Sequence, residues 1–368
     1  MKLNSISILN YKNIGEATLT FSPKVNCLIG NNGMGKTNIL DAIYYLSFCK
    51  SSTGQTDASV ITHDADFMML QGKYTRHDAD EDVSMGMQRG KRKTVRRGGK
   101  EYKRLSQHIG LLPLVMVSPA DWDLIRGAGE ERRKLMDMII SQGDKEYLAA
   151  VIAYTKAVEQ RNAIIKKEFR DPLLYETVEH QMATTAAYIH AARKRWIEAF
   201  EPIFTHYYNA IAGDGECVRM LYKSHLNEGS MLEHLNATRE RDFIIGYTTR
   251  GVHRDDIELL LGEHSMRKTG SQGQCKTYTI ALRLAQFEFL KEHTALTPIL
   301  LLDDIFDKLD ASRVESIIEV VSDERFGQIF ITDTNRTHLD EIVRRVSGDF
   351  AMFGVENGVC SLINRSNQ

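Results

Sequence analysis

The chain has 368 residues, 42% of them hydrophobic and 26% charged, a mix that excludes a disordered, collagenous or disulfide-stapled protein. At about 150 residues per domain, this length suits two domains or one large domain with an insertion. The formal net charge is −2, so contact with a polyanion has to come from local clusters of Lys and Arg.

The first 75 residues carry strand patterns at 3–10 and 17–21, a turn at Asn13-Ile14-Gly15, and a short apolar run at 25–29. Gly30 to Gly35 interrupts that run, and 38–48 has helical spacing at Ile39, Ile43 and Leu46. Strand-like pieces follow at 67–74, 83–88 and 94–95, with a hairpin turn at Gly98-Gly99 before 101–104. A further apolar run, 112–117, ends at Ser118-Pro119.

From 130 to about 212 the composition shifts to Ala, Glu, Lys, Arg and Gln, which predicts two or three long helices. Asp171-Pro172 is a helix start, with Asp at the N-cap and Pro at the first helical position. Leu148, Val151, Val158 and Ile165 have the spacing of a short coiled-coil-like seam. Beyond 217 strands and helices alternate again, with helices at 271–292 and 311–321 and buried strands at 298–303 and 328–332. The expected organisation is an N-terminal α/β lobe over 1–129, an inserted helical lobe over 130–212 and a C-terminal α/β lobe over 213–368.

Cys27, Cys49, Cys217, Cys275 and Cys360 form no C-x-x-C pair, and the histidines show no metal-ligand spacing. No structural metal and no disulfide framework are expected. No apolar run approaches the length of a membrane span, and Met-Lys-Leu-Asn-Ser lacks the apolar core of a signal peptide. A cytoplasmic location without a membrane partner is the expectation.

Gly30-Asn31-Asn32-Gly33-Met34-Gly35-Lys36-Thr37 matches G-x-x-x-x-G-K-[ST], with a strand before it and a helix, opening near Asn38, after it. Glycines let backbone N–H groups turn inward around an anion, and the helix adds its positive end. Lys36 supplies a charge for the outer phosphates of ATP and Thr37 a hydroxyl for Mg²⁺. Pro298-Ile299-Leu300-Leu301-Leu302-Asp303-Asp304 is an apolar strand ending in acids, the Walker B pattern. It assigns Asp303 to Mg²⁺ and Asp304 to activation of the attacking water. Ser271-Gln272-Gly273-Gln274 opens a helix. Alone it reads as an N-cap; placed before a Walker B strand it reads as a second anion site.

Nine Lys or Arg fall between Arg89 and Arg104 with Glu101 as the single acid. The stretch is either a solvated hairpin or a surface for DNA phosphates, with Arg92, Lys93, Arg96 and Arg97 as the candidate contacts. Lys166, Lys167, Arg193 and Arg195 are the alternative set.

These motifs together resemble the RecF family, bacterial recombination-repair ATPases with an ABC-type head related to SMC proteins. The resemblance covers essentially the whole chain. It rests on the P-loop with Leu40-Asp41-Ala42-Ile43-Tyr44, Ser118-Pro119-Ala120-Asp121, and Arg132-Arg133-Lys134-Leu135-Met136-Asp137. It also rests on Gly251-Val252-His253-Arg254-Asp255-Asp256, on Ser271 to Gln274 with Ala281-Leu282-Arg283-Leu284-Ala285-Gln286, and on Leu302-Asp303-Asp304-Ile305-Phe306.

What the resemblance implies is an α/β fold: an ABC-type P-loop ATPase head with an inserted α-helical lobe. ATP and Mg²⁺ would lie between the P-loop of one protomer and the signature Ser271 to Gln274 of a second. ATP would thus drive a homodimer. Asp307 and Asp310 stand where the D-loop is found. The implied role is binding to gapped or junction DNA with RecO and RecR to help load the recombinase, under slow, DNA-stimulated hydrolysis. Where the family often has Phe-Arg-Asn, this chain has Tyr11-Lys12-Asn13, so Lys12 and Asn13 are the expected nucleotide contacts there. Ala120 replaces the family's usual Glu, and the switch position after the last core strand holds Asp333 and Thr334. A transporter's motor ATPase would share the Walker and signature motifs, and a small-molecule kinase the P-loop alone.

Overall fold

The computed structural model describes residues 1–213, 215–307, 309–345 and 349–366. They form two units, one of 1–121, 210–212 and 276–368, the other of 122–209 and 213–275.

In the first unit, alternation of apolar and polar residues builds a six-stranded antiparallel sheet. Its strands lie in the order Ile14–Thr20, Lys2–Tyr11, Phe67–Arg76, Ala79–Gln88, Thr94–Arg97, Lys100–Glu101. Pairing of Ile8 with Leu70, and of Leu70 with Met85, puts the apolar set on one buried face. Gly98 and Gly99 turn the last hairpin with φ of 52° and 76°.

A second six-stranded sheet has at its centre almost continuously apolar strands, the pattern of a sheet covered on both faces. Its order is Val359–Arg365, Phe350–Glu356, Val25–Ile29, Ile329–Asp333, Ile299–Asp303, Leu114–Val117. All neighbours are parallel except the Phe350–Glu356/Val359–Arg365 hairpin at the edge. Register sets Asp333 beside Ile29, and Asp303 beside Thr332. The loops leaving these three strands therefore emerge side by side at their C-terminal ends, where open α/β sheets bind ligands.

The second unit holds helices Trp122–Arg126, Gly129–Gly143, Lys145–Lys166 and Met231–Ile245, and most of Pro172–Ala212. A three-stranded antiparallel sheet, His264–Ser265, Asp256–Leu261, Val218–Lys223, belongs with them. Helix starts follow their caps: Asp144 accepts from Tyr147 N at 2.8 Å, Asp171 from Leu173 N at 3.0 Å, and Ser230 and Glu233 form a capping box.

Two expectations are corrected here. The helical lobe does not end at 212, because 213–275 belongs to the same unit. Ion pairs explain this: Arg193 Nη1 meets the buried Asp255 at 2.7 Å and Arg132 Nε meets the half-buried Asp256 at 2.7 Å, tying the helices to the later sheet. Of the expected seam residues of Lys145–Lys166, Ile165 is buried, whereas Leu148, Val151 and Val158 are only half-buried. Tyr147, Tyr154, Ala157, Arg161 and Ile165 are the buried residues of this helix. The heptad Tyr147, Tyr154, Arg161 is hidden from a search for aliphatic residues because its members bury polar tips that find partners.

Candidate nucleotide-binding site

Strand Val25–Ile29 delivers the P-loop, and helix Lys36–Phe48 leaves it. A Cβ on Gly30 would lie 2.3 Å from Val355 O, so only glycine lets the neighbouring strand pass. Gly35 has φ of 113°, and a Cβ there would meet Asn13 Oδ1 at 2.9 Å. Asn13 braces the loop: its Oδ1 accepts from Asn38 Nδ2 at 2.7 Å and its Nδ2 donates to Met34 O at 3.4 Å. Gly358 N donates to the same carbonyl at 2.8 Å, so the edge hairpin holds the P-loop from a second side. The Asn357-Gly358 pair is the sequence signal for that hairpin and was the cue available.

Lys36 Nζ donates to Gly30 O at 2.6 Å and Asn31 O at 3.1 Å. Burial lowers its pKa, while Asp304, Asp303 and Asp333 act in the opposite direction. Thr37 Oγ1 donates to Asp303 Oδ1 at 2.9 Å and to Oδ2 at 3.0 Å. Asp303 is 3% exposed, and burial raises its pKa. A hydroxyl and a buried carboxylate in contact are a hard-oxygen pair suited to Mg²⁺.

Asp304 is a non-glycine residue at φ of 49°, a left-handed conformation that turns its carboxylate away from the strand direction. Its N–H donates to Thr332 Oγ1 at 3.0 Å, and that hydroxyl donates to Asp303 Oδ1 at 2.8 Å. Thr332 thus links both acids, one residue before the expected switch residues Asp333 and Thr334. The pKa of Asp304 is raised, by burial first and then by the charge of Asp333. A cleft of ≈ 130 Å³ is lined by Asn32, Gly33, Gly35, Lys36, Thr37, Asn38, Asp303 and Asp304.

Asp333 accepts from Asn335 N at 2.8 Å and bonds His338 Nδ1 at 2.8 Å. The His338 ring meets Phe306 edge-on at 5.2 Å. This histidine, absent from the strand end, comes from helix Arg336–Arg345. Thr334 is exposed and is not among the residues lining the cleft.

Lys12, an expected nucleotide contact, is engaged by an acid of the helix after the P-loop. Its Nζ lies 2.7 Å from the fully buried Asp41, which also accepts from Tyr11 and Ser51 hydroxyls at 2.6 and 2.7 Å. Asp121 is engaged by Arg283 Nη2 at 2.6 Å and Ser118 N at 2.9 Å, which accounts structurally for two of the telling segments.

The signature residues sit in the second unit at an exposed helix start. Ser271 N donates to Gln274 Oε1 at 2.9 Å and Gln274 N to Ser271 Oγ at 3.2 Å, a reciprocal cap. Gln274 Nε2 donates to Glu216 at 2.6 Å. Gln272 is exposed and Gly273 half-buried beside them. In the D-loop segment, Asp307 O accepts from Lys276 Nζ, and Asp310 caps helix Ala311–Ser322 by accepting from Arg313 N at 3.0 Å. Lys308 lies outside the described residues.

Two of the four candidate contacts of the basic hairpin are engaged in ion pairs. Lys93 pairs with Asp57 at 2.8 Å and Arg97 with Glu81 at 2.6 Å. Arg89 folds back onto the carbonyls of Ala58, Thr62 and Ala65. Arg92 and Arg96 stay exposed. In the alternative set Arg193 is 3% exposed inside an ion-pair network, which removes it as a surface contact.

Among the described residues no helix is long and apolar enough to cross a membrane. The RecF/RecN/SMC N terminal domain model matches residues 2–359. A DNA replication and repair protein RecF of Parabacteroides distasonis is 54% identical over 358 residues, covering 97% of this chain and 98% of its own. That of Bacteroides thetaiotaomicron is 52% identical over 361 residues, covering 98% of each. A solved recombination mediator protein RecF with ATP, of the RecFOR pathway, has a TM-score of 0.88 at 26% identity. It covers 98% of this chain and 99% of its own. An Smc head domain from Pyrococcus furiosus shares the fold, with a TM-score of 0.60 at 16% identity over 98% of this chain and 96% of its own. The fold is that of an ABC-type ATPase head, and the chain belongs to the RecF family of DNA replication and repair proteins.

Proposed function

We propose that the protein is an ATP-switched DNA-binding mediator of recombinational repair. ATP binds at the P-loop, and the bound nucleotide joins two copies by meeting the signature residues of a second protomer. The dimer engages gapped or junction DNA and acts with RecO and RecR to help load the recombinase. Slow, DNA-stimulated hydrolysis then resets it. The observation that carries the reading is the convergence of Lys36, Thr37, Asp303 and Asp304 on one cleft.

The chain's own groups divide the work. Backbone N–H groups from Gly30 to Thr37 cradle the phosphates, and Lys36 exchanges its carbonyl contacts for phosphate oxygens. Thr37 and Asp303 hold Mg²⁺, which neutralises phosphate charge when bound. Asp304 takes the proton of the attacking water, and a raised pKa suits a general base. Thr332 fixes both carboxylates. Ser271 and the first helical N–H groups after it are the anion donors offered to the partner's nucleotide.

The test is mass measurement by light scattering on Asp304→Asn protein, with and without ATP and gapped DNA. An ATP-dependent dimer that persists on DNA is expected, and Ser271→Arg abolishes it while ATP still binds. A protein that stays monomeric with saturating ATP and Mg²⁺ overturns the composite-site reading.

A further inference from the structure

We propose that Arg133, Arg250 and Arg254 of the second unit form a binding site for backbone phosphates of DNA. This rests on the DNA-binding reading above and assigns it residues other than those of the nucleotide cleft and the basic hairpin.

Among the described residues none of the three guanidiniums has a carboxylate partner, and the acids around them are spoken for. Asp256 is held by Arg132 through two bonds of 2.7 and 3.0 Å. Asp255 is held by Arg193 at 2.7 Å and Tyr222 at 2.5 Å. Glu130 and Glu131 both pair with Lys134 at 2.9 Å. Arg133 donates only to a backbone carbonyl, Asp255 O, at 2.8 Å. It is half-buried, and its pKa is lowered by burial first and then by the charge of Arg193, with Asp256 and Glu130 opposing and Arg254 adding to the effect. Arg250 acts the same way on His225, after burial. Cations gathered without an anion are costly unless a ligand supplies one.

The loop that carries Arg250 and Arg254 is held on all sides, so the gathering is built in. Thr248 N and Oγ1 both donate to Asn162 Oδ1 at 2.8 Å, and Thr249 Oγ1 donates to Asp242 at 2.6 Å. Gly251, at φ of 127°, passes so close to Tyr154 that a Cβ would lie 2.3 Å from its hydroxyl. Its N–H donates to His225 Nδ1 at 3.2 Å. His253 is bridged between Tyr154 Oη at 2.8 Å and Thr248 O at 3.1 Å. Arg254 N donates to Gly251 O at 2.9 Å, and its guanidinium lies over the exposed ring of Tyr247, 5.2 Å from the centroid. The cation–π contact holds the guanidinium at the surface, and its fork of N–H donors fits a phosphate bidentately. Arg254 and Tyr247 are open to solvent, which suits a polyanion lying across them.

The test is equilibrium binding of fluorescent gapped duplex to the full chain with saturating ATP and Mg²⁺, over a range of salt. Losing two phosphate contacts in the Arg250→Ala/Arg254→Ala protein lowers the slope of log K against log salt by about 1.8, at about 0.9 per contact. Affinity near 0.1 M salt falls tenfold or more, while ATP binding and melting temperature stay at wild-type values. Arg254→Lys is the second variant, keeping the charge and losing the fork. It retains the slope and loses affinity several-fold. Wild-type slope and affinity in the double variant, or wild-type affinity in Arg254→Lys, overturns the assignment. Inorganic phosphate added at constant ionic strength separates the two sources of the ligand: displacement of DNA at low millimolar phosphate assigns the site to a free anion and overturns the DNA assignment. If the wild type itself binds no DNA, the functional reading falls as well; if it binds and the variants match it, only this site falls.

Discussion

Buried charge is treated in opposite ways at the nucleotide cleft and inside the second unit. At the cleft, Asp303 bonds to the hydroxyls of Thr37 and Thr332, and Lys36 to carbonyls, with no ion pair for either among the described residues. In the second unit, Arg161 meets Glu179 at 2.9 Å and Asp242 at 2.7 Å, and Arg193 meets Asp137 and Asp255. Matched networks hold a fold in one arrangement. Unmatched charges leave an electrostatic deficit that a ligand of opposite sign fills. The three uncompensated arginines of the second unit follow the rule of the cleft and not that of the network around them.

The strongest break of the comparison is at the cleft. Asp304→Asn keeps ATP binding and lowers kcat by about 10²- to 10⁴-fold, the range for loss of a general base. Lys36→Ala weakens ATP binding instead, by about 100-fold, or about 2.7 kcal/mol. Calorimetric ATP titration with single-turnover hydrolysis separates the two. Wild-type turnover by Asp304→Asn ends its assignment as base.

The matched network predicts a stability loss in place of a chemical one. Arg161→Ala leaves Glu179 and Asp242 buried without their main cation, which costs about 3–5 kcal/mol. Urea denaturation measures it. A change under 1 kcal/mol, on the order of an exposed pair, contradicts the network account.

The sequence made the cleft legible because its parts are local. The P-loop spans eight residues whose spacing is its geometry, and the Walker strand is one apolar run. The second unit was less legible because its determinants are distant in sequence. Arg193 and Asp255 meet across 62 positions, and nothing in Arg193-Lys194-Arg195 marks the first of the three as buried. The Lys12–Asp41 pair was hidden for the same reason, since Asp41 sits in a helix face that otherwise reads as apolar. The link made by Thr332 was not legible because its hydroxyl matters only through two acids on a neighbouring strand and its end.

His253 sharpens the contrast by showing a third treatment, a buried group kept neutral. Burial takes its pKa from 6.5 to about 4. The folded protein therefore binds fewer protons than the unfolded chain between these values, and stability rises with pH there. The contribution is complete above about pH 6.5 and is lost as pH falls toward 4, up to about 3 kcal/mol. His253→Gln flattens the dependence of the urea midpoint across that window. An unchanged pH profile in the variant rules this histidine out as its source.

Thr332→Val has the smallest expected effect and tests the cleft most finely. The two side chains are nearly equal in volume, so packing of the fully buried site is kept and only the hydroxyl is lost. That hydroxyl donates to Asp303 and accepts from Asp304 N. Asp303 retains the Thr37 hydroxyl, and Asp304 N retains a longer bond of 3.3 Å to Thr332 O, so neither group is orphaned. The cost to stability is therefore about 1 kcal/mol, that of one hydrogen bond. Catalysis is hit separately: with the turn at Asp304 held by one bond instead of two, its carboxylate is less well placed for the water. A fall of about tenfold in kcat, about 1.4 kcal/mol, is expected with ATP affinity unchanged, because Lys36 and the P-loop amides are untouched. If ATP affinity falls and kcat does not, Thr332 acts through the phosphate cradle. The linkage between the two acids then has no part in hydrolysis.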